Sequence, residues 1–441
     1  MNHLKYMYLF AGIMSACLFT GCADRPAESR SPDSAAEAVT TAPAATTSST
    51  AAVTTTTTVT TTVVTTTQKI DPPDDLHMTC LDTVEAGSDI TLDAFITDRN
   101  VALKDGSALL DTSNPGWYNA EIPYLYHGAE FTHTLQYHVI DTTIPYVINP
   151  GLESYHKVET PFDLNDYIGF ADNCDSRPVL TYEGEIDPDT VGSYPLAVTV
   201  TDSSGNYNTW NITVNVVEEV PKSVDTEPRV NYSDFISRYE GDDVRFGIDV
   251  SAWQGDIDYK AVRDAGCSFV IIRAGYFYSQ VVPDDYFRQN LKNAAAAGLD
   301  VGVYFYTTDR SEEEVREHVR WITEQLDGQK LDLPIVFDWE EFAHFQKYGM
   351  SIHDLNNVYA AFADEVRKQG YTPMLYSSKI FLDTIWSEHT KASSPVWLAH
   401  YVDETTYTGE YEIWQASSCG RIPGIDGDVD MDIQYLDRKQ D

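Results

Sequence analysis

Positive charge is scarce in this sequence. Its 441 residues include 29 Lys and Arg against 69 Asp and Glu, and the net charge is −40. Nucleic acids and anionic membrane surfaces are bound through clustered Lys and Arg side chains. The composition therefore excludes nucleic acid as a partner, and it excludes a membrane partner that is held by charge. The length suits about two to four domains.

Long hydrophobic runs are also missing, apart from one at the start. The first residues, MNHLKYMYLFAGIMSACLFTGC, place Lys5 before an apolar stretch of about 14 residues, which is typical of an export signal and short for a membrane span. The end LFTGC resembles the lipobox of bacterial lipoproteins. This resemblance implies lipidation at Cys22, with Cys17 as an alternative, and a lipid-anchored position on the extracellular face of the bacterial cell membrane. An ordinary secretion signal is the other interpretation.

Cysteine and histidine are few and scattered. After the signal, Cys80, Cys174, Cys267 and Cys419 are widely spaced, so they build neither a disulfide framework nor a zinc site of CxxC spacing. We expect buried thiols, and a Cys267–Cys419 disulfide stays open. HxxxH, a GxGxxG after a strand and a GxSxG elbow are all absent, so the sequence predicts no metal site and no cofactor.

Composition divides the chain into six segments. The run from Val39 to Thr67 has no charged and no aromatic residue, so it cannot form a core and reads as a stalk. Short alternating strands broken by Gly, Pro, Asn and Asp follow, which is typical of β-sandwich modules. The predicted segments are a signal peptide at 1–22, a Thr-rich linker at 23–70, β modules at 71–143 and 144–218, a linker at 219–242 and an α/β domain at 243–441.

A loose internal repeat supports two copies of one β module. EAGSDITLDAFI is echoed by ETPFDLNDYIGF, DTSNPGWYNAEIPY by DPDTVGSYPLAVTV, and HVIDTTIPYV by TVTDSSGNYN. The stretch GSYPLAVTVTDSSGNYNTWNITVNV resembles the last strands of bacterial immunoglobulin-like modules, which implies spacers or binders at a cell surface. Acids at the module junctions are candidate Ca²⁺ ligands. Because no EF-hand-like loop appears, a solvated acidic face is the favoured interpretation.

Strands alternate with helices from Arg245 onward. Ser311 with Glu314 predicts a capping box for a helix that Gly328 ends, and Ser351 starts another helix. About 200 residues of this alternation predict a TIM-like β/α barrel, and thus a multidomain fold class with two all-β modules before an α/β domain. The candidate strands are FGIDV, FVIIRA, VGVYFY, PIVFDW, TPMLYS, VWLAHY and YEIWQ, with MDIQY as a candidate eighth.

The stretch PIVFDWEE begins like a buried strand and then turns acidic. In a strand, residues i and i+2 share a face, so Asp338 and Glu340 are expected to look the same way. Two carboxylates in one cavity repel each other, and burial disfavours both charges, so one of them keeps its proton to a higher pH. Asp249 ends FGIDV. All three acids therefore fall where barrels carry their chemistry, at the carboxyl ends of strands.

Four stretches in order resemble glycoside hydrolase family 25, the lysozymes that cut bacterial peptidoglycan between N-acetylmuramic acid and N-acetylglucosamine. They are FGIDVSAWQGDIDY, FVIIRAGYFY, PIVFDWEE, and VWLAHY followed by WQASSCGRIPGIDGDVDMD. The resemblance spans most of the chain from Arg245 to Tyr435. It implies a monomeric muramidase whose partner is peptidoglycan and which needs no cofactor.

The resemblance also implies a catalytic set of four acids. Glu340 matches the general acid, and Asp338 matches its paired acid. Asp249 matches the acid at the end of the first strand, and Asp430 matches the last acid of the set. This chain departs from the family at Asp432, where Asn is frequent, so the facing acid within DGDVDMD is less defined.

Aromatic residues are frequent near the ends of the predicted strands. Rings suit the apolar faces of sugars, and Tyr hydroxyl and Gln amide groups suit hydroxyl and acetamido groups. Arg273 is a rare charge in an apolar strand, so we expect it to pair with a carboxylate and organise the site. The predicted substrate-binding residues are Tyr304, Tyr306, Tyr376, Trp397, Tyr401, Trp414, Gln415 and Arg273, of which Tyr304, Tyr306, Tyr376 and Trp397 match family positions near the cleft.

The same residues also bear on two alternative functions. Family 18 chitinases carry DxxDxDxE, but Val336 and Leu333 stand where its first two acids would be. A wall- or glycan-binding lipoprotein whose barrel has lost activity is the rival from another class, and its mark would be a broken acid set. Inverting, retaining and acetamido-assisted hydrolysis all stay open, because sequence does not give the separation of the carboxylates.

Overall fold

A computed structural model of the chain describes residues 69–222 and 228–436. In these residues the strands are β1 Met78–Cys80, β2 Thr83–Glu85, β3 Ile96–Arg99, β4 Ala102–Leu103, β5 Gly116–Tyr126, β6 Ala129–Ile140, β7 Tyr146–Asn149, β8 Glu153–Lys157, β9 Gly169–Ala171, β10 Val179–Glu183, β11 Gly192–Thr201, β12 Tyr207–Val217, β13 Val230–Asn231, β14 Val244–Val250, β15 Phe269–Phe277, β16 Val281–Pro283, β17 Asp300–Thr307, β18 Ile335–Asp338, β19 Pro373–Ser378, β20 Val396–Ala399, β21 Ile413–Arg421 and β22 Val429–Tyr435. The α-helices are α1 Leu92–Phe95, α2 Tyr232–Tyr239, α3 Tyr259–Asp264, α4 Phe287–Ala297, α5 Glu312–Leu326, α6 Ile352–Lys368, α7 Lys379–Thr384 and α8 Glu388–Ala392, and 3₁₀ segments lie at Leu164–Asp166, Ala252–Gln254 and Glu341–Tyr348.

The two β modules share one topology. In the first, β2, β6, β5 and β4 form a four-stranded sheet and β1 pairs with β3. In the second, β8, β12, β11 and β10 form the matching sheet and β7 pairs with β9. In both sheets the outer strand β2 or β8 runs parallel to its neighbour. The repeat is therefore present in the structure, although its third echo aligns the end of β6 with β11, whose true counterpart is β5.

The second module packs against the 3₁₀ segment that follows β18. The Gln346 side chain donates a hydrogen bond to Ile168 O at 2.8 Å and accepts one from Phe170 N at 3.3 Å. A Cβ at Gly169 would lie 2.1 Å from the carbonyl oxygen of Ala343, so this close approach requires glycine. The module and the barrel are thus held together by hydrogen bonds of the Gln346 side chain and by a close backbone approach at Gly169.

The C-terminal domain is a closed barrel of eight strands. In order around the barrel these are β14, β15, β17, β18, β19, β20, β21 and β22, and β22 closes the ring by pairing with both β21 and β14. Seven strands are parallel, whereas β22 is antiparallel to both neighbours. The predicted barrel and all eight candidate strands are confirmed, including MDIQY.

Side chains along each strand point alternately into the barrel and outward to the helices, so the apolar residues form two layers. Residues such as Phe269, Ile271 and Val336 fill the barrel interior, whereas Val270, Ile272 and their equivalents pack outward against the helices. Inward-facing positions turn polar at the carboxyl ends of the strands. The polar residues there build the site, and the apolar layers below and around them keep it rigid.

Helix ends follow the predictions with one difference. Ser351 caps α6 in a full capping box with Asp354. Ser311 caps α5 in the same way, because its side chain accepts from Glu314 N. The Glu314 carboxylate, however, accepts from Arg310 N instead of Ser311 N. The capping box predicted for α5 is therefore only half formed.

Part of the predicted linker 219–242 belongs to the barrel domain. There, β13 pairs with the far end of β21, and α2 buries Tyr232 and Phe235 in the outer layer. Two aromatic anchors on a short helix suffice to hold this segment, and a linker assignment by composition misses them. This boundary is a correction to the sequence prediction.

Three further predictions concern the amino-terminal segments, the cysteines and a membrane span. The signal peptide with Cys22 and the Thr-rich segment up to Gln68 lie outside them. Within the described residues, Cys267 and Cys419 are not joined by a disulfide. None of the helices in the described part of the chain is long and apolar enough to span a membrane.

Candidate active site

Two acids face each other across an antiparallel strand pair at the barrel rim. Asp249 lies near the end of β14 and Asp430 near the start of β22, and the two are directly paired in the sheet. Directly paired residues in an antiparallel pair project to the same face. Both carboxylates therefore point toward the mouth of the barrel, and only the reversed direction of β22 brings Asp430 there.

The stretch PIVFDWEE carries the other two predicted acids. Asp338 is the last residue of β18 and is buried, whereas Glu340 lies just beyond the strand and is exposed. Between them, Trp339 is fully buried against Phe342 and Phe345 in the outer layer. The Trp339 side chain points away from the barrel interior. The side chains of its two neighbours, Asp338 and Glu340, therefore turn to the same side even though the strand has ended.

The carboxyl groups of Asp338 and Glu340 lie close together, and each affects the pKa of the other. Burial raises the pKa of Asp338 well above its usual range, and the charge of Glu340 adds to the rise. The pKa of Glu340 is raised as well, mainly by loss of water around its carboxylate, although the interaction with Asp338 opposes this rise. The pair therefore holds a proton at a pH at which separate acids would both be ionised.

Gln415 joins Asp249 to two tyrosines. Its Nε2 donates to Asp249 Oδ2 at 2.7 Å, and its Oε1 accepts from Tyr376 OH at 2.9 Å and from Tyr401 OH at 2.8 Å. Burial raises the pKa of Asp249 to about 7, the charge of Glu340 adds to this, and the hydrogen bond from Gln415 opposes it. The two tyrosine donors fix the amide orientation so that its NH₂ faces the carboxylate.

Asp432 lies one layer below the rim and is fully buried. Its Oδ1 accepts from Trp397 Nε1 at 2.9 Å, and its Oδ2 is buried without a partner among the described residues. Burial raises the pKa of Asp432 well above its usual range, and the nearby Asp249 and Asp430 add to the rise. Trp397, a predicted sugar-binding residue, is thus held by Asp432 below the mouth.

Arg273 pairs with an acid that the sequence analysis missed. Its guanidinium contacts Asp284 Oδ2 at 2.8 Å, and that oxygen also accepts from Ala252 N at 2.9 Å. Asp284 Oδ1 accepts from Tyr286 N at 3.0 Å. Asp284 therefore links β15 to the turn that follows Asp249. The spacing between Arg273 and Asp284 in the sequence follows no known motif, so the sequence did not identify Asp284. The expectation that Arg273 pairs with a carboxylate was the signal that could have found it.

Tyr304 and Tyr306 lie on β17 beside the acids. Burial raises the pKa of Tyr304 well above its usual value, and the charge of Asp249 reinforces this. The Tyr306 hydroxyl donates to Glu341 Oε1 at 2.6 Å, next to Glu340 in the chain. Both tyrosines are partly exposed. The structure thus brings both predicted tyrosines to the acidic end of the barrel.

Trp414 is a correction to the sequence prediction. It is buried in the outer layer, its Nε1 donates to His400 O at 2.8 Å, and its ring meets the Tyr239 ring edge-on. Because Gln415 faces the mouth, its chain neighbour Trp414 must face outward. Apart from Trp414, the predicted site residues of this domain gather at the carboxyl end of the barrel.

Sequence comparison matches most of the barrel domain to a known family. A model of the glycosyl hydrolases family 25 matches residues 248–425. The protein YegX of Escherichia coli K12 is 30% identical over 195 residues, which cover 42% of this chain and 68% of that protein. The chain belongs to glycosyl hydrolase family 25. The membership rests on its C-terminal half.

Two other relatives of the family 25 domain carry lysozyme names. Lysozyme M1 of Streptomyces globisporus is 30% identical over 201 residues, covering 42% of this chain and 65% of that protein. The autolytic lysozyme of Clostridium acetobutylicum is 28% identical over 190 residues, and the match spans 54% of its length.

Solved structures similar to the family 25 domain include two bacterial proteins. One is a lysozyme from Streptomyces coelicolor, with 28% identity, 43% of this chain and 91% of that chain covered, and a TM-score of 0.38. The other is a family 25 glycosyl hydrolase from Bacillus anthracis, with 21% identity, 45% and 93% covered, and a TM-score of 0.40.

Proposed function

We propose that this protein is a peptidoglycan hydrolase of the bacterial cell surface, an N-acetylmuramidase that cleaves the β-1,4 bond between N-acetylmuramic acid and N-acetylglucosamine. The observation that carries the proposal is the pair of neighbouring acids Asp338 and Glu340 at the barrel mouth, whose pKa values are both raised. Family membership and relatives named as lysozymes support it. A raised pKa is what a general acid needs in order to hold its proton near neutral pH.

In this proposal Glu340 gives its proton to the glycosidic oxygen as the bond breaks. It is the exposed member of the pair, so it can reach a bound polysaccharide. The proton leaves with the sugar that departs, and the Asp338–Glu340 pair becomes doubly negative. That charge stabilises the positive charge that develops on the remaining sugar in the transition state.

Asp338 is buried beside Glu340, so we assign it stabilisation and orientation rather than nucleophilic attack. This assignment favours either inversion by a water molecule or assistance from the acetamido group of the substrate. Asp249 and Asp430 face each other at the same mouth, where we propose that they orient that water or acetamido group. Tyr304, Tyr306, Tyr376 and Tyr401 would line the sugar-binding cleft, with the buried Trp397 beneath them.

The remaining parts of the chain have supporting roles in this proposal. We propose that Cys22 is lipidated, that the Thr-rich segment up to residue 70 is a stalk, and that the two β modules are immunoglobulin-like spacers. Together they would hold the barrel at a distance from the membrane, within reach of the wall. The repeated topology of the two modules supports the spacer role.

Product analysis of digested peptidoglycan tests the activity. Purified walls are treated with the protein, the new reducing ends are labelled with borohydride, and mass spectrometry identifies them. We expect muramic acid ends from the wild type, and with Glu340→Gln a loss of about 10²- to 10⁴-fold in rate, which is the usual contribution of a general acid. Glu313→Gln, an exposed change in the first turn of α5, is the matched control.

The other outcomes are distinct. Glucosamine ends would keep a glycosidase but contradict the assigned bond. Absence of new ends on several wall types, together with retained binding to walls, would favour the inactive wall-binding lipoprotein.

A further inference from the structure

A short loop after β9 joins three parts of the chain. In this loop the Asn173 side chain donates to Ala86 O of the first module at 2.8 Å. The backbone oxygens of Asp172 and Asn173 accept from Ile352 N and His353 N, at 2.8 and 3.1 Å, in the first turn of α6. The loop therefore lies where the first module, the second module and the barrel domain meet.

Buried oxygen atoms without partners surround this loop. Asp172 is 1% exposed, and its Oδ1 accepts from Cys174 N and Asp175 N, but its Oδ2 has no partner among the described residues. Asp141 Oδ2 and Asn173 Oδ1 are likewise buried and unpartnered in the described chain. Burying a carboxylate oxygen without a partner is costly. The solvated acidic face favoured by the sequence is therefore wrong for Asp172.

Candidate ligand atoms converge beside this loop. Ligand atoms of Asp141, Asp172 and Cys174 all lie within 4.8 Å of one another. Ca²⁺ binds oxygen at about 2.4 Å, so two oxygens up to about 4.8 Å apart can reach one ion. The Asn173 amide nitrogen donates to Asp141 Oδ1 at 3.3 Å, so the Asn173 side chain lies beside the same group.

The charge around the loop is negative and uncompensated. Two further acids, Asp141 and Asp202, lie near enough for their charges to act on Asp172. None of the ion pairs formed by the described residues involves Asp141, Asp172, Asp175 or Asp202. A divalent cation would supply the missing positive charge and the missing partners at once.

We propose that Asp141 and Asp172, with the side-chain oxygen of Asn173, bind a Ca²⁺ ion at the junction of the two β modules and the barrel. The oxygen donors favour a hard cation over zinc, which prefers thiolate and imidazole. Because Ca²⁺ prefers oxygen ligands, the sulfur of Cys174 is a neighbour of the ion rather than a ligand.

The ion would lock the relative arrangement of the three parts. Without it, repulsion between Asp141 and Asp172 loosens the loop that holds Ala86 on one side and α6 on the other. Calcium is abundant outside cells, so the junction would be firm where the protein works. The inference does not depend on the muramidase proposal, because the site lies outside the barrel mouth.

Calorimetric titration of the chelator-treated full chain with Ca²⁺ tests the site. We expect one ion per chain, with a dissociation constant of about 10⁻⁵ to 10⁻³ M, and a thermal midpoint that rises with Ca²⁺. Asp172→Asn keeps an acceptor for the two backbone N–H groups but turns an amide nitrogen or an uncharged oxygen to the ion. Its affinity for Ca²⁺ should fall at least about tenfold.

Asp163→Asn is the matched control, because Asp163 accepts from Asn165 N in the same kind of turn but is exposed. It should bind Ca²⁺ like the wild type. Asp141→Asn is a second variant with the same expected loss as Asp172→Asn, and circular dichroism verifies the fold of each variant.

Three results would overturn the proposal. One is the absence of saturable Ca²⁺ binding by the wild type at concentrations above about 1 mM, whatever the variants do. Another is equal binding by the wild type and by folded Asp172→Asn and Asp141→Asn. The third is binding of Zn²⁺ without Ca²⁺, lost in Cys174→Ser, which would make the site a thiolate site.

Discussion

At the scale of single residues, the candidate site is a set of acids whose protons are controlled by burial and by a few hydrogen bonds. Asp249 shows this balance. Burial raises its pKa to about 7, whereas the amide of Gln415 and the charge of Arg273 favour its ionised form. The ionisation of Asp249 near neutral pH therefore depends on Gln415, a residue that is not itself an acid.

Replacement of Gln415 tests this dependence. In Gln415→Leu the hydrogen bond to Asp249 is gone, so the pKa of Asp249 should rise above about 7. If ionised Asp249 is the working form, the acidic limb of the kcat/KM profile moves to higher pH, and activity falls several-fold more at about pH 6 than at about pH 8. A series of rates on labelled peptidoglycan from acid to base measures the limb.

Tyr401→Phe is the control for Gln415→Leu. It removes one donor to Gln415 Oε1 but leaves the bond to Asp249 intact. Its acidic limb should stay in place even if substrate binding weakens. An unmoved limb in Gln415→Leu would show that Asp249 does not govern the profile.

Asp432 offers a stability test at the same scale. An acid whose pKa is raised by folding binds more protons when folded than when unfolded, so the free energy of unfolding falls as pH rises from about 4 through the raised pKa. Asp432→Asn keeps an acceptor for Trp397 and removes the buried charge. We expect it to be more stable than the wild type by about 1–3 kcal/mol at about pH 8, with a smaller difference at about pH 5.

Urea unfolding at the two pH values measures the Asp432→Asn difference. Asp426→Asn, an exposed change nearby, is the control and should match the wild type at both. A variant that is less stable than the wild type at the higher pH would mean that the charge of Asp432 is compensated in a way the described contacts do not show.

At the scale of elements, the site depends on one strand that runs against the others. Seven parallel strands bring their carboxyl ends to one rim, and β22 reaches the same rim with its amino end. Asp430 and Asp432 therefore face the mouth from the start of their strand. Asp284, in the loop after β16, accepts a hydrogen bond from Ala252 N in the turn after β14 and pairs with Arg273 of β15. These contacts hold the turn and the loop at the rim.

Asp284→Asn tests that fastening. The change leaves the Arg273 guanidinium, whose side chain is 14% exposed, without its charged partner. Breaking a buried pair in this way usually costs about 3–5 kcal/mol, and here we expect the lower end because the amide oxygen still accepts hydrogen bonds. Denaturant midpoints measure the loss. Activity should fall too, since the turn after Asp249 loses an anchor.

Asp285→Asn is the matched control for Asp284→Asn, because Asp285 is the exposed neighbour. It should change neither stability nor activity by a measurable amount. If Asp284→Asn unfolded at the same denaturant concentration as this control, the ion pair would have no role in holding the rim.

At the scale of the whole molecule, the dominant property is charge. The net charge of −40 is carried by a protein proposed to act on a wall that is itself anionic. Salt shortens the reach of this repulsion, from a Debye length of about 30 Å at about 0.01 M to about 8 Å at about 0.15 M. We therefore expect hydrolysis of intact walls to become faster over this range of ionic strength.

Turbidity clearing of walls across the salt series measures the effect. A short soluble glycan fragment of peptidoglycan, which carries far less charge than intact walls, serves as the control substrate, and its rate should change little. A steady fall of wall hydrolysis between the two concentrations would contradict the repulsion argument.

Local patterns in the sequence were sufficient for much of this architecture. Apolar runs and capping residues predict the eight barrel strands and helices α5 and α6, because burial and capping act on neighbours in the chain. The DxE spacing predicts that Asp338 and Glu340 look the same way, and Trp339 between them secures it. The order of motifs predicts family 25, which the comparisons support.

Contacts between residues far apart in the chain had to come from the tertiary structure. The antiparallel closure by β22 decides that Asp430 lies at the mouth, the barrel pleat decides that Trp414 faces outward, and the turn after β16 decides that Asp284 meets Arg273. From the sequence, the acids at the module junction are expected to be solvated. They are buried only where three parts of the chain meet, which the sequence does not show. Side-chain type and spacing act locally, whereas burial and pairing are properties of the closed fold, and for that reason only the structure decides them.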